Sequence, residues 1–258
     1  MSLDQLDDIF AQTLVGEYDD ELPWEAVQTL RNIGSRAVFE QAAEWCSSGN
    51  PLKRARGANV LAQIGRTIEH PRNNFADESY LILSALVRQE RDLLPLLSAI
   101  HGLGHIGNPL ALPVVIANCE HENSDVRFAV ACALGKFADD PRAVQTLMAM
   151  MQDDDDHVRD WATFGLGVLG NADSSEIREA LLKRMIDCDC DVREEALVAL
   201  ANRKEQRAIP TLIAELNHQR EISDRLREAA ESFLGNNEER MGWSPNDFAT
   251  ALRRHFAL

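Results

Sequence analysis

Apolar side chains recur along this chain at helical spacing, and the helical stretches themselves recur. Val126-Arg127-Phe128-Ala129, Val158-Arg159-Asp160-Trp161, Val192-Arg193-Glu194-Glu195 and Leu226-Arg227-Glu228-Ala229 each open one, at intervals of 32, 34 and 34 residues. Each stretch runs to small residues near its end: Ala133-Leu134-Gly135, Gly165-Leu166-Gly167, Ala199-Leu200-Ala201 and Phe233-Leu234-Gly235. Small side chains there let neighbouring helices approach closely, while the apolar stripe buries one side. The same ending at Gly102-Leu103-Gly104, Val60-Leu61-Ala62 and Leu30-Arg31-Asn32-Ile33-Gly34 places weaker starts at Pro95, Lys53 and Leu22, so about seven units are expected. The interval from Lys53 to Pro95 is about ten residues too long. Its excess falls in Arg66 to Asp77, a polar stretch with Pro71, Asn73 and Asn74 that reads as a protruding loop. A second helix precedes the starts, most clearly over Pro109–Asn118, Arg142–Met151, Ser174–Met185 and Arg207–Leu216. One such hairpin cannot bury its apolar face alone, but stacked hairpins share a core. Leu3 to Leu14 and Phe248 to Phe256, the latter behind the helix start Ser244-Pro245-Asn246-Asp247, read as terminal helices.

Val-Arg openings, alanines three to seven residues on, a Leu-Gly ending and a short unit resemble the HEAT family, most nearly the subtype known from phycobilin lyases. The resemblance covers roughly Leu22 to Gly235 and is most specific over Val158 to Gly167. The helix of Trp161 and Phe164, with Asp173-Ser174-Ser175-Glu176-Ile177-Arg178 after it, also looks like bacterial HEAT-like proteins, some encoded beside polymorphic toxin genes. The implied fold is all-α: one right-handed α-α superhelical solenoid over 1–258, armadillo-like. It has a cap at 1–21, repeats over 22–235 with the insertion near 66–77, and a cap at 236–258. Met1-Ser2-Leu3 reads in part as a cloning remnant. The resemblance further implies that the Val-Arg helices line the concave side. Their arginines, Arg127, Arg159, Arg193 and Arg227, would form a ladder with turn acids Asp153, Asp187 and Glu221.

Charge narrows the function. The chain has 42 acidic against 26 basic residues, a formal net charge of -16. Nucleic acid and anionic membranes are therefore not expected partners, because both recruit clustered Lys and Arg. No apolar run reaches the roughly 18 residues of a membrane span, and the first residues carry no signal-like pattern, so a cytoplasmic protein is expected. Five cysteines, an odd number without a scaffold pattern, read as reduced thiols.

Catalytic chemistry finds little footing. Deoxyhypusine hydroxylase resembles this chain in its Val-Arg helices but carries His-Glu directly after Val-Arg, where this sequence has Phe128-Ala129, Asp160-Trp161, Glu194-Glu195 and Glu228-Ala229. His121-Glu122 stands alone in a turn. HEAT-like DNA glycosylases need a basic concave surface. His101 and His105 have the i, i+4 spacing of metal ligands but lack a third ligand, and Cys188-Asp189-Cys190-Asp191 occupies the same turn as Asp153 to Asp156 one unit earlier. Capping and turn solvation explain those acids. No catalytic residue, metal or cofactor is expected.

The repeat register places Asp20, Glu21, Glu25, Asp125, Asp156, Asp160, Asp191, Glu194, Glu195, Asp224 and Glu228 on the inner face, with only Arg56 and Arg225 as bases. Trp24, Phe128, Trp161 and Phe164 fall in the same set, either as contact anchors or as packing within the seam. The expected function is a non-catalytic scaffold receiving a basic protein or peptide, a neutralised nuclease toxin among the candidates. The phycobilin-lyase resemblance leaves a lyase-like or chaperone-like role on a chromophore-bearing partner as the alternative, and a metal-dependent enzyme using His101 and His105 as a third.

Overall fold

A computed structural model describes residues 3–258; Met1 and Ser2, part of the expected N-terminal cap, lie outside the described residues. All fifteen regular elements longer than one turn of 3-10 or π geometry are α-helices, and no strand occurs among the described residues. The chain divides into two compact units, one up to Lys136 and one from Phe137.

The first unit contains α1 (Leu3–Gln12), α2 (Glu21–Ile33), α3 (Arg36–Trp45), α4 (Pro51–Ala62), α5 (Ala76–Gln89), α6 (Leu93–Ile106), α7 (Leu112–Ile116, after a 3-10 turn) and α8 (Ser124–Leu134). They pair as α1/α2, α3/α4, α5/α6 and α7/α8, and the second members pack side by side in the order α2, α4, α6, α8. Helix starts follow capping chemistry: Ser35, Asn50 and Asn123 accept backbone N–H groups of α3, α4 and α8. Val27, Leu30, Ala58, Leu61, Leu103 and Val130 are fully buried along the shared seam. Gly104 shows why the ending must be small, since a Cβ there would lie 2.8 Å from Ala133 Cα. The expected insertion is present as residues 63–75, ending where α5 begins. Its base is pinned by Asn73 Nδ2 donating to Leu61 O and Asn74 Nδ2 to Gly34 O, and Ile68 at its tip is fully exposed.

The second unit contains α9 (Pro141–Met150), α10 (Asp156–Phe164), α11 (Ser175–Arg184), α12 (Cys190–Asn202), α13 (Ile209–His218), α14 (Asp224–Leu234) and α15 (Pro245–Phe256). α9/α10, α11/α12 and α13/α14 are hairpins, α12 lies between α10 and α14, and α15 closes the stack against α13 and α14. Asp155, Asp189 and Ser223 cap α10, α12 and α14, so the acidic turns do serve as helix starts. Ser244 and Asp247 form a reciprocal capping box at α15. α10 runs on into a π-helical turn, Gly165–Leu169, whose end is marked by Gly170 N donating to Gly165 O.

Candidate functional site

The Val-Arg position is a structural device. In α10, Arg159 Nη1 donates to the carbonyls of Asp153 and Asp154, and its Nε and Nη2 form a fork on Asp187 at 3.0 and 2.9 Å. Arg127 and Arg193 reach back in the same way, to His121 and Glu122 and to Asp187 and Cys188. Arg54 belongs to this set although it follows lysine: its Nη1 donates to Ser48 O, and it pairs with Glu90 at 2.7 Å and Asp92 at 2.6 Å. The ladder expected from the resemblance therefore holds at Arg159–Asp187. It differs at Arg193, which takes Glu215 at 2.9 Å instead of Glu221, and at Arg227, whose guanidinium stacks over Phe248 with Nη1 lacking an acceptor.

Most of the predicted site residues meet at the starts of α10, α12 and α14. Arg225 Nη1 lies 2.7 Å from Asp191 Oδ1, and its Nε lies 2.5 Å from Glu195 Oε1. Glu194 and Glu195, expected to face solvent, are buried at 8% and 4% exposure because α12 is covered on both sides. Glu194 accepts a 2.6 Å hydrogen bond from Ser223 Oγ, which ties it to the cap of α14. Burial pushes the Glu195 carboxyl up to about 7, with Asp160 and Glu228 adding to the rise and Arg225 opposing it. Burial likewise raises Asp160, whose Oδ1 is enclosed without a hydrogen-bond donor. Trp161 and Phe164 form an edge-to-face pair at 5.4 Å, Trp161 the more exposed. Asp156 is exposed in the first turn of α10.

Trp24, Asp125 and Phe128 belong to the first unit. Asp125 is exposed at the start of α8 and Phe128 is half-buried. Trp24 packs edge-on against Tyr18 at 5.6 Å, with Arg56 at 5.1 Å from its ring. Arg56, expected on the open face, is instead 1% exposed. His101 is half-buried on α6, and burial lowers it; His105 exposes part of its side chain, while desolvation of its ring, with Arg31 adding to the shift, lowers it to about 4. Among the described residues no three His, Cys, Asp or Glu side chains gather to hold an ion. No helix among them is long and apolar enough to cross a membrane.

Residues 81–167 match the family of HEAT repeats, and residues 192–218 match the PBS lyase HEAT-like repeat. Protein YibA of Escherichia coli K12 is 25% identical over 212 residues, covering 80% of this chain and 73% of that protein. The X-ray structure of YibA matches with a TM-score of 0.72 at 22% identity, covering 98% of this chain and 94% of that one. The uncharacterized phycocyanin operon protein Z of Pseudanabaena tenuis is 28% identical over 158 residues, 60% of this chain and 76% of its own. An archaeal HEAT-like repeats protein from Thermococcus onnurineus shares the fold at a TM-score of 0.56 and 15% identity, over 96% and 97% of the two chains. Residues 81–167 thus match HEAT repeats and residues 192–218 a PBS lyase HEAT-like repeat, and the stacked helical hairpins of both units share that repeat fold.

Proposed function

We propose that this protein is a non-catalytic, cytoplasmic scaffold that holds a basic protein or peptide on the acidic face of α10, α12 and α14. The observation that carries the reading is a charge imbalance: Asp160, Asp191 and Glu195 gather about the single guanidinium of Arg225, Glu228 adds to the negative field on Glu195, and Asp160 Oδ1 has no donor. A partner's lysine or arginine supplies the missing donors and relieves the repulsion that adds to burial in raising Glu195. The Trp161–Phe164 pair beside it offers the aromatic contact on which interface hot spots draw. Stacked repeats suit such a role because they present extended surfaces. The test is an array of peptides of equal length graded from net negative to net positive. Binding should rise with positive charge, weaken with salt and fall at least about tenfold in Asp160→Asn/Asp191→Asn. Binding indifferent to peptide charge would sink the reading.

The match of residues 192–218 to the PBS lyase HEAT-like repeat favours a second reading, action on a chromophore-bearing partner through α12. Visible absorbance of a phycobiliprotein mixed with the protein separates the two: transfer or removal of chromophore supports the second, an unchanged spectrum the first.

A further inference from the structure

In the first unit two arginines lie without a carboxylate at salt-bridge distance. Arg31 on α2 spends Nε and Nη2 on a single acceptor, Asn59 O, at 3.0 and 2.8 Å. Its Nη1/Nη2 edge, the end-on fork of the guanidinium, is left over. Arg56 on α4 is 1% exposed; Nη2 donates to Tyr18 O at 2.7 Å, while Nε and Nη1 have no acceptor. Neither arginine forms an ion pair with a carboxylate among the described residues, where Arg54 and Arg36 of the same unit do. Arg56 is offset by the Tyr18 and Trp24 rings at 4.2 and 5.1 Å and by the charge of Asp19, whereas the outer edge of half-buried Arg31 meets no carboxylate.

Arg31 opens on a cleft of about 410 Å³ between α2, α4 and α6, walled by Trp24, Leu97, His101 and His105. Tyr18 closes one side, and its position is fixed by a directed chain. Asn59 Nδ2 donates to Tyr18 Oη at 2.7 Å; Ser98 Oγ donates to Leu94 O at 3.0 Å, so the 3.1 Å contact between Tyr18 and Ser98 has the tyrosine as donor. Arg56 lies 4.2 Å from the Tyr18 ring and fixes its carbonyl from beneath. The wall thus includes the buried, oriented amide of Asn59 and hydroxyl of Ser98. Desolvation lowers His105, and the charged groups that add to it are cationic ones, Arg31 and then His101, Lys136 and Arg66. A divalent cation on the two histidines would meet that same positive field; an anion is drawn by it, with imidazole N–H groups as further donors.

We propose that this cleft binds a small monocarboxylate with a compact apolar body, its carboxylate on the free edge of Arg31 and its body against Trp24 and Leu97. One open guanidinium fork matches one carboxylate in geometry and charge, whereas a phosphate dianion would keep a surplus charge in an acidic protein. The volume is that of a small-ligand pocket. The site lies in the first unit and is independent of the acidic face of α10, α12 and α14.

The test uses benzoate, 2-naphthoate, biphenyl-4-carboxylate and octanoate, each beside its neutral primary amide, read by calorimetry and by the ring signals of isotope-labelled histidine. At least one acid should bind about tenfold or more tightly than its amide, shift His101 and His105 selectively, and raise the His105 pKa from about 4. Arg31→Gln should erase the advantage of acid over amide. Because Arg31 also anchors Asn59 O, Leu97→Trp provides a second variant that fills the cleft and leaves Arg31 in place; it should abolish binding with the fold intact. Acid and amide binding alike, no acid binding by about 10 mM, shifts confined to other histidines, or acid binding that survives both variants overturns the proposal.

Discussion

Two side chains on adjacent helices, Arg159 and Glu195, show how burial fixes opposite electrostatic fates. Arg159 is 8% exposed but fully engaged, with two carbonyls and a fork on Asp187, which Arg184 also meets at 2.9 Å. Removing it strips a buried carboxylate of its bidentate partner, so Arg159→Ala should cost about 3–5 kcal/mol in urea unfolding. A loss under about 1 kcal/mol would mean that Asp187 relaxes to solvent. These donors outweigh burial and hold Asp187 below the usual carboxylate range, so its stabilisation is present above the unfolded pKa and is lost as acid protonates the folded carboxyl. Glu195 has the reverse sign. Its folded value of about 7 lies above the unfolded one of about 4.3, so the folded state holds the extra proton between them and stability declines as pH rises through that window. Glu195→Gln should flatten the fall in Tm between about pH 5 and 7 and leave the acid limb, set by Asp187 and its like, unchanged. The Arg159–Asp187 pair was foreseen through the HEAT resemblance, which implied an arginine ladder on the turn acids. The burial of Glu194, Glu195 and Arg56 was not, because a helix register gives the face of a residue but not whether a neighbouring helix or the 14–20 segment covers it.

At the scale of elements, the small-residue endings were read correctly and their consequences can be measured. A Cβ on Gly167 would stand 2.4 Å from Ala199 Cβ, the contact across which the turn after α10 meets α12. Gly167→Ala should therefore destabilise by about 1–3 kcal/mol despite its better helix propensity. Ala199→Gly should recover part of that loss in the double mutant, giving a coupling of about 0.5 kcal/mol or more; additive losses would show that the clash is absorbed elsewhere. The π turn itself could not be read from the periodicity, which Gly165-Leu166-Gly167 satisfies as an ordinary helix. Its physical support lies outside its own segment: Arg203, beyond the end of α12, donates to the carbonyls of Leu166 and Gly167 within the turn and of Ala172 after it. Helix boundaries elsewhere were legible to within a few residues because prolines and capping side chains mark them, as at Pro141, Ser174 and Ser244.

For the whole molecule, the repeat interval of 32 to 34 residues was enough to foresee an all-helical stack, since no single hairpin of this composition can bury its stripe. The division after Lys136 left no mark, because Ala133-Leu134-Gly135 reads like every other unit ending. The acids that the repeat register placed on the inner face predicted a basic partner, but the register did not show that Asp160, Asp191 and Glu195 crowd about one guanidinium or that Arg31 of the first unit meets no carboxylate. The crowding makes partner binding proton-linked. If a basic segment docks on α10, α12 and α14, its charge favours the ionised form of Glu195 and lowers a carboxyl that starts near 7. Docking that makes this carboxyl about tenfold more acidic releases about half a proton per complex at pH 6.5 and almost none at pH 8.5, because the free carboxyl is already ionised there. Calorimetric titrations in buffers of different ionisation enthalpy measure this number directly. Wild type should release protons at pH 6.5, and Glu195→Gln should release about that much less. The same tenfold gain in acidity should raise the wild-type affinity by up to about tenfold from pH 5 to 8. Binding of a basic partner without proton release at pH 6.5 would place that partner away from Glu195, on another surface of the chain.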